Sequence, residues 1–267
     1  MDLSNKVIVI TGGGGTLGGA MAIGLAAAGA SVVVTGRTLS KLEAVRDQII
    51  AQGGQAACKV GDVLEEASMK ALLQFVQETY GRVDVLINAA GGNMAGATIR
   101  SDQTVFELSL EAFDQVHQLN LNGTVIPTLV FAKAFAERGQ GSVINISSMA
   151  AQQAITRIVG YSASKAAIDN FTRWMAVEMA LKFGEGIRVN AIAPGFFVGE
   201  QNRRLLTNED GTYTERAQTI IAQTPMKRFG APEELVGIAQ WLSSDSASFV
   251  TGTVIAVDGG FSAFSGV

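Results

Sequence analysis

Thr11-Gly12-Gly13-Gly14-Gly15-Thr16-Leu17-Gly18 stands between an apolar run, Val7-Ile8-Val9-Ile10, and a stretch of helical spacing in which Leu17, Ala20, Met21, Gly24, Leu25 and Ala28 share a face before Gly29 closes it. A strand that turns through glycines into a helix can bring backbone N–H groups and a helix N-terminus up to a phosphate. Glycines let such a turn tighten and let the backbone approach closely. Gly12, Gly14, Gly15, Thr16, Leu17 and Gly18 are therefore expected to cradle a pyrophosphate. An ordinary glycine-rich turn is the alternative, and the rest of the chain decides between them.

Outward from this turn, short apolar runs alternate with longer helical ones. Strands are expected at 31–35, 56–60, 83–87, 142–146, 187–192 and 253–257. Helices are expected at 39–52, 65–80, 111–138, 161–183 and 233–243. The strand runs are apolar without clean alternation, which suits parallel strands buried on both faces. Right-handed crossovers then predict an α/β fold: a Rossmann-type, doubly wound parallel sheet of seven strands flanked by helices. No repeat or linker divides the chain, so residues 1–267 read as one dinucleotide-binding and catalytic domain. Two long irregular stretches, 91–109 and 195–218, remain; the second is expected to be a substrate lid, because loops of that length in a compact domain are usually functional.

The 267 residues are 48% hydrophobic and 16% charged, a globular balance. A net charge of −4 carries no electrostatic footprint for nucleic acid. The sequence shows neither an apolar run long enough to span a membrane nor a secretory signal, and a cytoplasmic location is expected. Cys58 is the single cysteine and His117 the single histidine. That argues against a disulfide, a metal site and a Ser-His-Asp triad.

At the end of the second strand, where a dinucleotide fold that binds NAD usually presents an acid to the ribose 2′-hydroxyl, the chain has Gly36, Arg37 and Thr38. No carboxylate is there to repel a 2′-phosphate, and Arg37 is placed to pair with one. NADP is thus favoured over NAD, the alternative being that Arg37 stacks on adenine. Asp62 and Val63 follow the third strand, where an adenine amine is met, and Asn88-Ala89-Ala90-Gly91 follows the fourth, against the adenosine ribose.

Tyr161-Ser-Ala-Ser-Lys165 puts a phenol and an ammonium four residues apart on one helix face. A phenol with pKa near about 10 is a poor base at neutral pH, and a nearby ammonium, together with the charge of an oxidised nicotinamide, is expected to stabilise the phenolate and lower that value. Ser148 stands just past the fifth strand, at the sheet edge where open α/β folds bind ligands, and its hydroxyl is placed to orient an oxygen for proton exchange with Tyr161.

Taken together and in this order, the glycine turn, Asn88-Ala89-Ala90-Gly91, Asn120 within Leu119-Asn-Leu-Asn-Gly123, Ser148, Tyr161, Lys165 and Pro194-Gly195 resemble the short-chain dehydrogenase/reductase family over the whole chain. The resemblance implies that Tyr161 is the proton donor or acceptor and that Ser148 holds the substrate oxygen. It implies that Lys165 binds the nicotinamide ribose and lowers the tyrosine pKa, and that Asn120 anchors a water in a proton relay. Pro194, Gly195, Phe197 and Val198 would lie against the cofactor, and the assembly would be a homotetramer. Two departures stand out. The family has Gly or Ala at the position of Thr16, and a threonine that contacts the nicotinamide carboxamide or phosphate at the position of Gly199.

Residues 91–98, 147–149, 194–197, 201–211 and 257–265 further resemble a subgroup known as D-mannonate oxidoreductases or fructuronate reductases, which implies reduction of D-fructuronate to D-mannonate. A sugar acid needs a cation for its carboxylate and amide or hydroxyl partners for its hydroxyls. Asn93, Ser148, Gln152, Arg157, Gln201, Asn202 and Arg203 are the candidates, with solvated lid positions or interface contacts as the alternative for any one of them. Reductases of another polyol, a ketogluconate or a 3-oxoacyl thioester remain alternatives within enzymes. A non-catalytic nucleotide-binding regulator is the alternative outside them, and the complete set of Asn120, Ser148, Tyr161 and Lys165 argues against it.

Overall fold

The computed structural model describes residues 1–199 and 202–266, apart from the Arg204 side chain. Its elements, in chain order, are β1 (Val7–Thr11), α1 (Thr16–Ala27), β2 (Ser31–Gly36), α2 (Leu39–Ala51), β3 (Gln55–Val60), α3 (Glu66–Tyr80) and β4 (Val85–Asn88). Then follow α4 (Leu110–His117), α5 (Gly123–Arg138), β5 (Gly141–Ile146), α6 (Val159–Phe183), β6 (Ile187–Pro194), α7 (Arg203–Leu206), α8 (Glu215–Gln223), α9 (Val236–Ser243) and β7 (Val254–Val257).

The strands form one parallel sheet in the order β3-β2-β1-β4-β5-β6-β7. The apolar strand runs are explained by a pleat that points successive side chains to opposite faces, both of them covered. Ile8 and Ile10 of β1, Val32 and Val34 of β2, Val85 and Ile87 of β4, and Ile144 and Ile146 of β5 pack with Met21 and Leu25 of α1 and Leu242 of α9. Val7, Val9, Val33, Leu86 and Val143 face the other way, against Met69 and Leu72 of α3, Phe131 and Phe135 of α5, and Met175 and Met179 of α6. Strand order reverses between β1 and β4, whose paired ends are Thr11 and Asn88. A ligand-binding crevice is expected outside the carboxyl ends there.

Two expectations need correction. The helix read at 111–138 is interrupted by a π-helical turn at Gln118–Asn122. Farther along, Pro127 lies inside α5 and has no N–H to give. The stretch 195–218 is not wholly irregular: it contains α7 and the first residues of α8, whose N-terminus is capped by Thr214 Oγ1 accepting from the Ala217 N–H at 3.2 Å. With Ala217 and Ile220 as its buried residues, α8 has too short an apolar stripe to stand out in sequence.

Candidate functional site

The glycine turn fits a dinucleotide. Gly12 has φ of +64°, and a Cβ there would come within 2.8 Å of Ala89 O and Ala90 N at the end of β4. A Cβ on Gly18 would lie 2.4 Å from Gly12 O. Gly15 is the N-cap of α1 and supplies no side-chain cap, and no acidic residue occupies the first turn. The first N–H groups of α1 are thus left for an anion. Beside them, Thr11 Oγ1 accepts from the N–H groups of Ala89 and Ala90, each at 3.2 Å, and fixes the two strand ends to each other. Arg37 and Thr38 are exposed just past β2. Asp62 accepts from the Leu64 N–H at 3.0 Å, which holds the turn after β3, and Val63 beside it is buried.

Asn88 departs from its expected place. It is buried, and its Nδ2 donates to Thr128 Oγ1 and Asn145 Oδ1, both at 2.9 Å. The amide braces β4 against β5 and α5 rather than facing the crevice. Phe197 and Val198 also turn their side chains inward. The Phe197 ring fills the space where a Cβ on Gly230 would stand, 2.4 Å away, and Val198 packs with the cluster around Leu206 and Phe229. From Phe197 and Val198 the backbone, not the side chains, is left for the crevice.

Asn120 sits in the π turn and is fully buried. Its Oδ1 accepts from the Gly92 N–H at 3.0 Å, and its Nδ2 donates to Gly92 O and Val116 O, both at 2.8 Å. The side chain therefore clasps the loop that leaves β4. A Cβ on Gly91 would come 2.7 Å from Asn120 Oδ1 and 3.4 Å from Lys165 Nζ, so this loop lies directly over the first part of α6.

Tyr161 and Lys165 lie in the first part of α6, and Ser148 follows β5. The Tyr161 ring packs with Met94, Ala97, Ala112 and Val116. Ser148, whose Oγ accepts from the Ala150 N–H at 3.1 Å, lies close enough to the Tyr161 hydroxyl to hold its pKa down. Lys165 Nζ is 5.5 Å from the Tyr161 ring centroid and donates to Ile146 O at 2.7 Å. Burial pushes Lys165 down to about 8, opposed by the Asp169 carboxylate one turn further along α6.

The expected lowering of the Tyr161 pKa is not found among the protein's own groups. Burial pushes the phenol up, and Ser148 offsets this only in part. The ammonium lies over the ring and is spent on the Ile146 carbonyl, while desolvation acts on the whole phenol.

Asp169 and Ser147 were missed. The carboxylate accepts from Ser147 Oγ and is itself pushed up by burial. Tyr161, Lys165 and Asp169 repeat at intervals of four, and an acid extending that stripe along a buried helix face was the available signal.

The substrate candidates divide. Asn93 Nδ2 donates to Thr98 Oγ1 at 2.7 Å, while its Oδ1 is buried with no partner. Gln152 bonds to Asp169. Arg157 has φ of +76°, and its Nε donates to Ile99 O at 2.7 Å. Asn202 is committed to its own segment, accepting from the Gly199 N–H and donating to Phe197 O, both at 2.8 Å. Arg203 is exposed at the start of α7, and Gln201 lies outside the described residues. Arg216 was missed because it falls in the part of α8 taken for loop.

The two departures from the family pattern meet in space. A Cβ on Gly199 would lie 3.2 Å from Thr16 Oγ1 and 3.4 Å from Thr16 Cβ. A side chain at both positions would crowd the mouth of the glycine turn; the hydroxyl is on the turn, and the segment after β6 keeps glycine opposite it. Pro194 ends β6, and Gly195 follows so close to Asp258 that a Cβ would come within 2.7 Å of its Cα.

Residues 14–262 match a family profile described as enoyl-(acyl carrier protein) reductase. The chain is also 45% identical, over 100% of its length and 98% of the relative's, to an uncharacterised oxidoreductase, UxuB, of Bacillus subtilis. It belongs to the short-chain dehydrogenase/reductase family. It is an NAD(P)-dependent oxidoreductase. A crystal structure of a candidate D-mannonate oxidoreductase from Haemophilus influenza, with NAD bound, is 42% identical to this dehydrogenase/reductase, with TM-score 0.91 and coverage of 100% of this chain and 98% of that one. A candidate NAD(P)-dependent gluconate 5-dehydrogenase from Beutenbergia cavernae, crystallised with NADP, is 36% identical, with TM-score 0.85 and coverage of 98% and 99%. Among the described residues no helix is long and apolar enough to cross a membrane, and no group of three or more His, Cys, Asp or Glu is placed to hold a metal ion.

Proposed function

We propose that this dehydrogenase/reductase interconverts a secondary alcohol and a ketone on a sugar acid of the D-mannonate/D-fructuronate type, with Tyr161 as the acid/base. The observation that carries the reading is the gathering of Tyr161, the Ser148 that acts on its hydroxyl, and a buried Lys165 whose Nζ is 5.5 Å from the Tyr161 ring centroid, at the carboxyl edge of the sheet. Bound dinucleotide supplies or accepts the hydride. Ser148 Oγ holds the substrate oxygen, and in the reductive direction Tyr161 gives that oxygen its proton as the carbonyl carbon gains the hydride. A phenol raised by burial is in its acid form at neutral pH, which suits reduction of the ketone. Lys165 binds the nicotinamide ribose, and Asn120 holds the loop beside the route by which the proton is replaced.

Support for a sugar acid comes from the similar proteins named for mannonate and gluconate, and from the polar loops around the site. NADP is the preferred dinucleotide, read by the exposed Arg37 where Gly36 offers no carboxylate. The region 195–218 serves as lid. The assembly is a cytoplasmic homotetramer, supported by apolar side chains left exposed on α5 and α6: Leu129 at 55%, Trp174 at 59%, Val177 at 58% and Leu181 at 80%.

A screen of mannonate, fructuronate, gluconates, ketogluconates, neutral polyols and 3-oxoacyl thioesters, following reduced-nicotinamide absorbance, tests the substrate class. Tyr161→Phe should lower turnover on the best substrate by about 10²- to 10⁴-fold while leaving dinucleotide affinity within about twofold. Unchanged turnover would reject the assigned role.

A further inference from the structure

Between the segment that joins Ser148 to Tyr161 and helix α8 lies a cavity of about 380 Å³. Ala154, Ile155, Phe196, Ile220 and Phe261 give it largely apolar walls, and Arg216 enters it from α8. The Arg216 guanidinium donates to Thr156 Oγ1 at 3.3 Å and to Thr156 O at 3.4 Å. Burial pushes the Arg216 pKa down, and the Arg157 cation, next in the chain to the Thr156 that Arg216 bonds, adds to the lowering from outside the cavity wall. Among the described residues neither guanidinium forms an ion pair. Glu215, on the cavity rim, is the residue next to Arg216 on the helix, and consecutive helical side chains diverge. Asp102 feels Arg157 only weakly and pairs with Arg100 instead.

Arg157 is also held in an unusual way. A non-glycine residue in the left-handed region costs on the order of 1 kcal/mol or more, and such strain persists where the surroundings impose it. Here the backbone and side chain both engage Ile99: the Ile99 N–H donates to Arg157 O at 3.0 Å, and Arg157 Nε donates to Ile99 O at 2.7 Å. This arrangement fixes the guanidinium four residues before the catalytic tyrosine and couples it to the 91–109 loop.

We propose that Arg216 and Arg157 together form an anion subsite that takes the substrate carboxylate at the end of the carbon chain remote from the reacting carbon. A bound carboxylate would cancel the repulsion between the cations and use the donors that charge-assisted, bidentate pairing favours. The apolar walls, with Phe196 and Phe261 edge to face at 5.2 Å, would cover the C–H face of the chain. The proposal rests on the sugar-acid reading for the identity of the ligand. It adds that acids are selected over neutral polyols by a pair of cations, one of which lies on the lid helix.

The test uses purified, dinucleotide-saturated protein and the variants Arg216→Gln, which retains a donor for Thr156, and Arg157→Gln. Turnover is compared on an aldonate and on the polyol of the same configuration, and gluconate binding is measured by calorimetry without turnover. Each variant should raise KM for the acid about tenfold to a hundredfold and weaken gluconate binding to match, and Arg216→Gln, which leaves the Arg157–Ile99 contact in place, should change kcat/KM for the acid far more than for the neutral polyol. Arg216→Lys should recover part of the loss. An unchanged acid-to-polyol ratio in a wild-type protein that does turn over aldonates would overturn the subsite and leave the proposed function standing. Equal losses on acid and polyol would also overturn it, by showing that Arg216 merely holds the loop. Arginine-dependent gluconate binding without turnover of any sugar acid would sustain the anion subsite and remove the proposed reaction.

Discussion

Raising the pH past about 8 should make the wild-type enzyme lose its capacity to capture dinucleotide, and Lys165→Arg should abolish that loss. The ordinary value for a lysine is 10.5, and burial brings Lys165 to about 8. At pH 9 about one molecule in ten then carries the ammonium, where an ordinary lysine would remain more than about nine-tenths charged. If Lys165 holds the nicotinamide ribose as a cation, kcat/KM for the dinucleotide stays flat below about pH 8 and falls about tenfold per pH unit above it. This parameter reports the free enzyme, the state to which the shift applies. Tyr161, pushed upward, titrates above this window in the free enzyme and does not confuse it. An arginine at 165 stays charged throughout and shows no limb, whatever it costs in baseline activity. Asp169→Asn removes the carboxylate that opposes the downward shift, so its limb should move to lower pH. The assay is initial rate against dinucleotide concentration at saturating substrate, from pH 6 to about 10. A wild-type profile flat to about pH 10, or the same limb in Lys165→Arg, would refute the reasoning.

Arg37→Ala should weaken NADP at least about tenfold while changing NAD by less than about twofold, measured by dinucleotide titration; equal effects would show that Arg37 does not read the 2′-phosphate. Gly199→Thr brings a side chain against Thr16 and should weaken dinucleotide binding, whereas Thr16→Ala with Gly199→Thr should recover it. A double-mutant cycle is expected to give a coupling of about 1 kcal/mol, and additivity would dissociate the two positions. Leu181→Glu, on the exposed face of α6, should reduce the assembly to a smaller species in light scattering, while an unchanged mass would clear this face of a role in association.

The fold was readable because the residues that build it act over short spans. Strands with both faces covered show as unbroken apolar runs, and Ile8 and Ile10 opposite Val7 and Val9 explain why no alternation marked β1. The glycine turn and the Tyr161–Lys165 pair are likewise local, one a strand-to-helix junction and the other a single helical turn. What escaped is long-range or collective. Arg216 reaches Thr156 across 60 positions of sequence, and Ser147 meets Asp169 across 22. Neither pairing has a periodicity to announce it. Asn88 matched a motif, yet its amide faces inward because Thr128 and Asn145 wait there, two partners from other elements.

The Tyr161 pKa shows the same division in energetic form. Counting charges along the sequence finds an ammonium one turn away and, with an oxidised nicotinamide's charge added, expects a more acidic phenol. Only the packed structure reveals that desolvation dominates both groups, raising the phenol and lowering the ammonium. For Lys165 burial disfavours the ammonium, so folding with its proton on carries a cost at neutral pH that relaxes as the pH rises from about 8 towards 10.5. A chain selected for stability alone would put an apolar residue there. Keeping a partly destabilised cation beneath a desolvated phenol makes sense only where charge is to be supplied from outside. On the proposed function, dinucleotide and substrate would complete the site's electrostatics, which is why the decisive measurements concern ligand capture against pH.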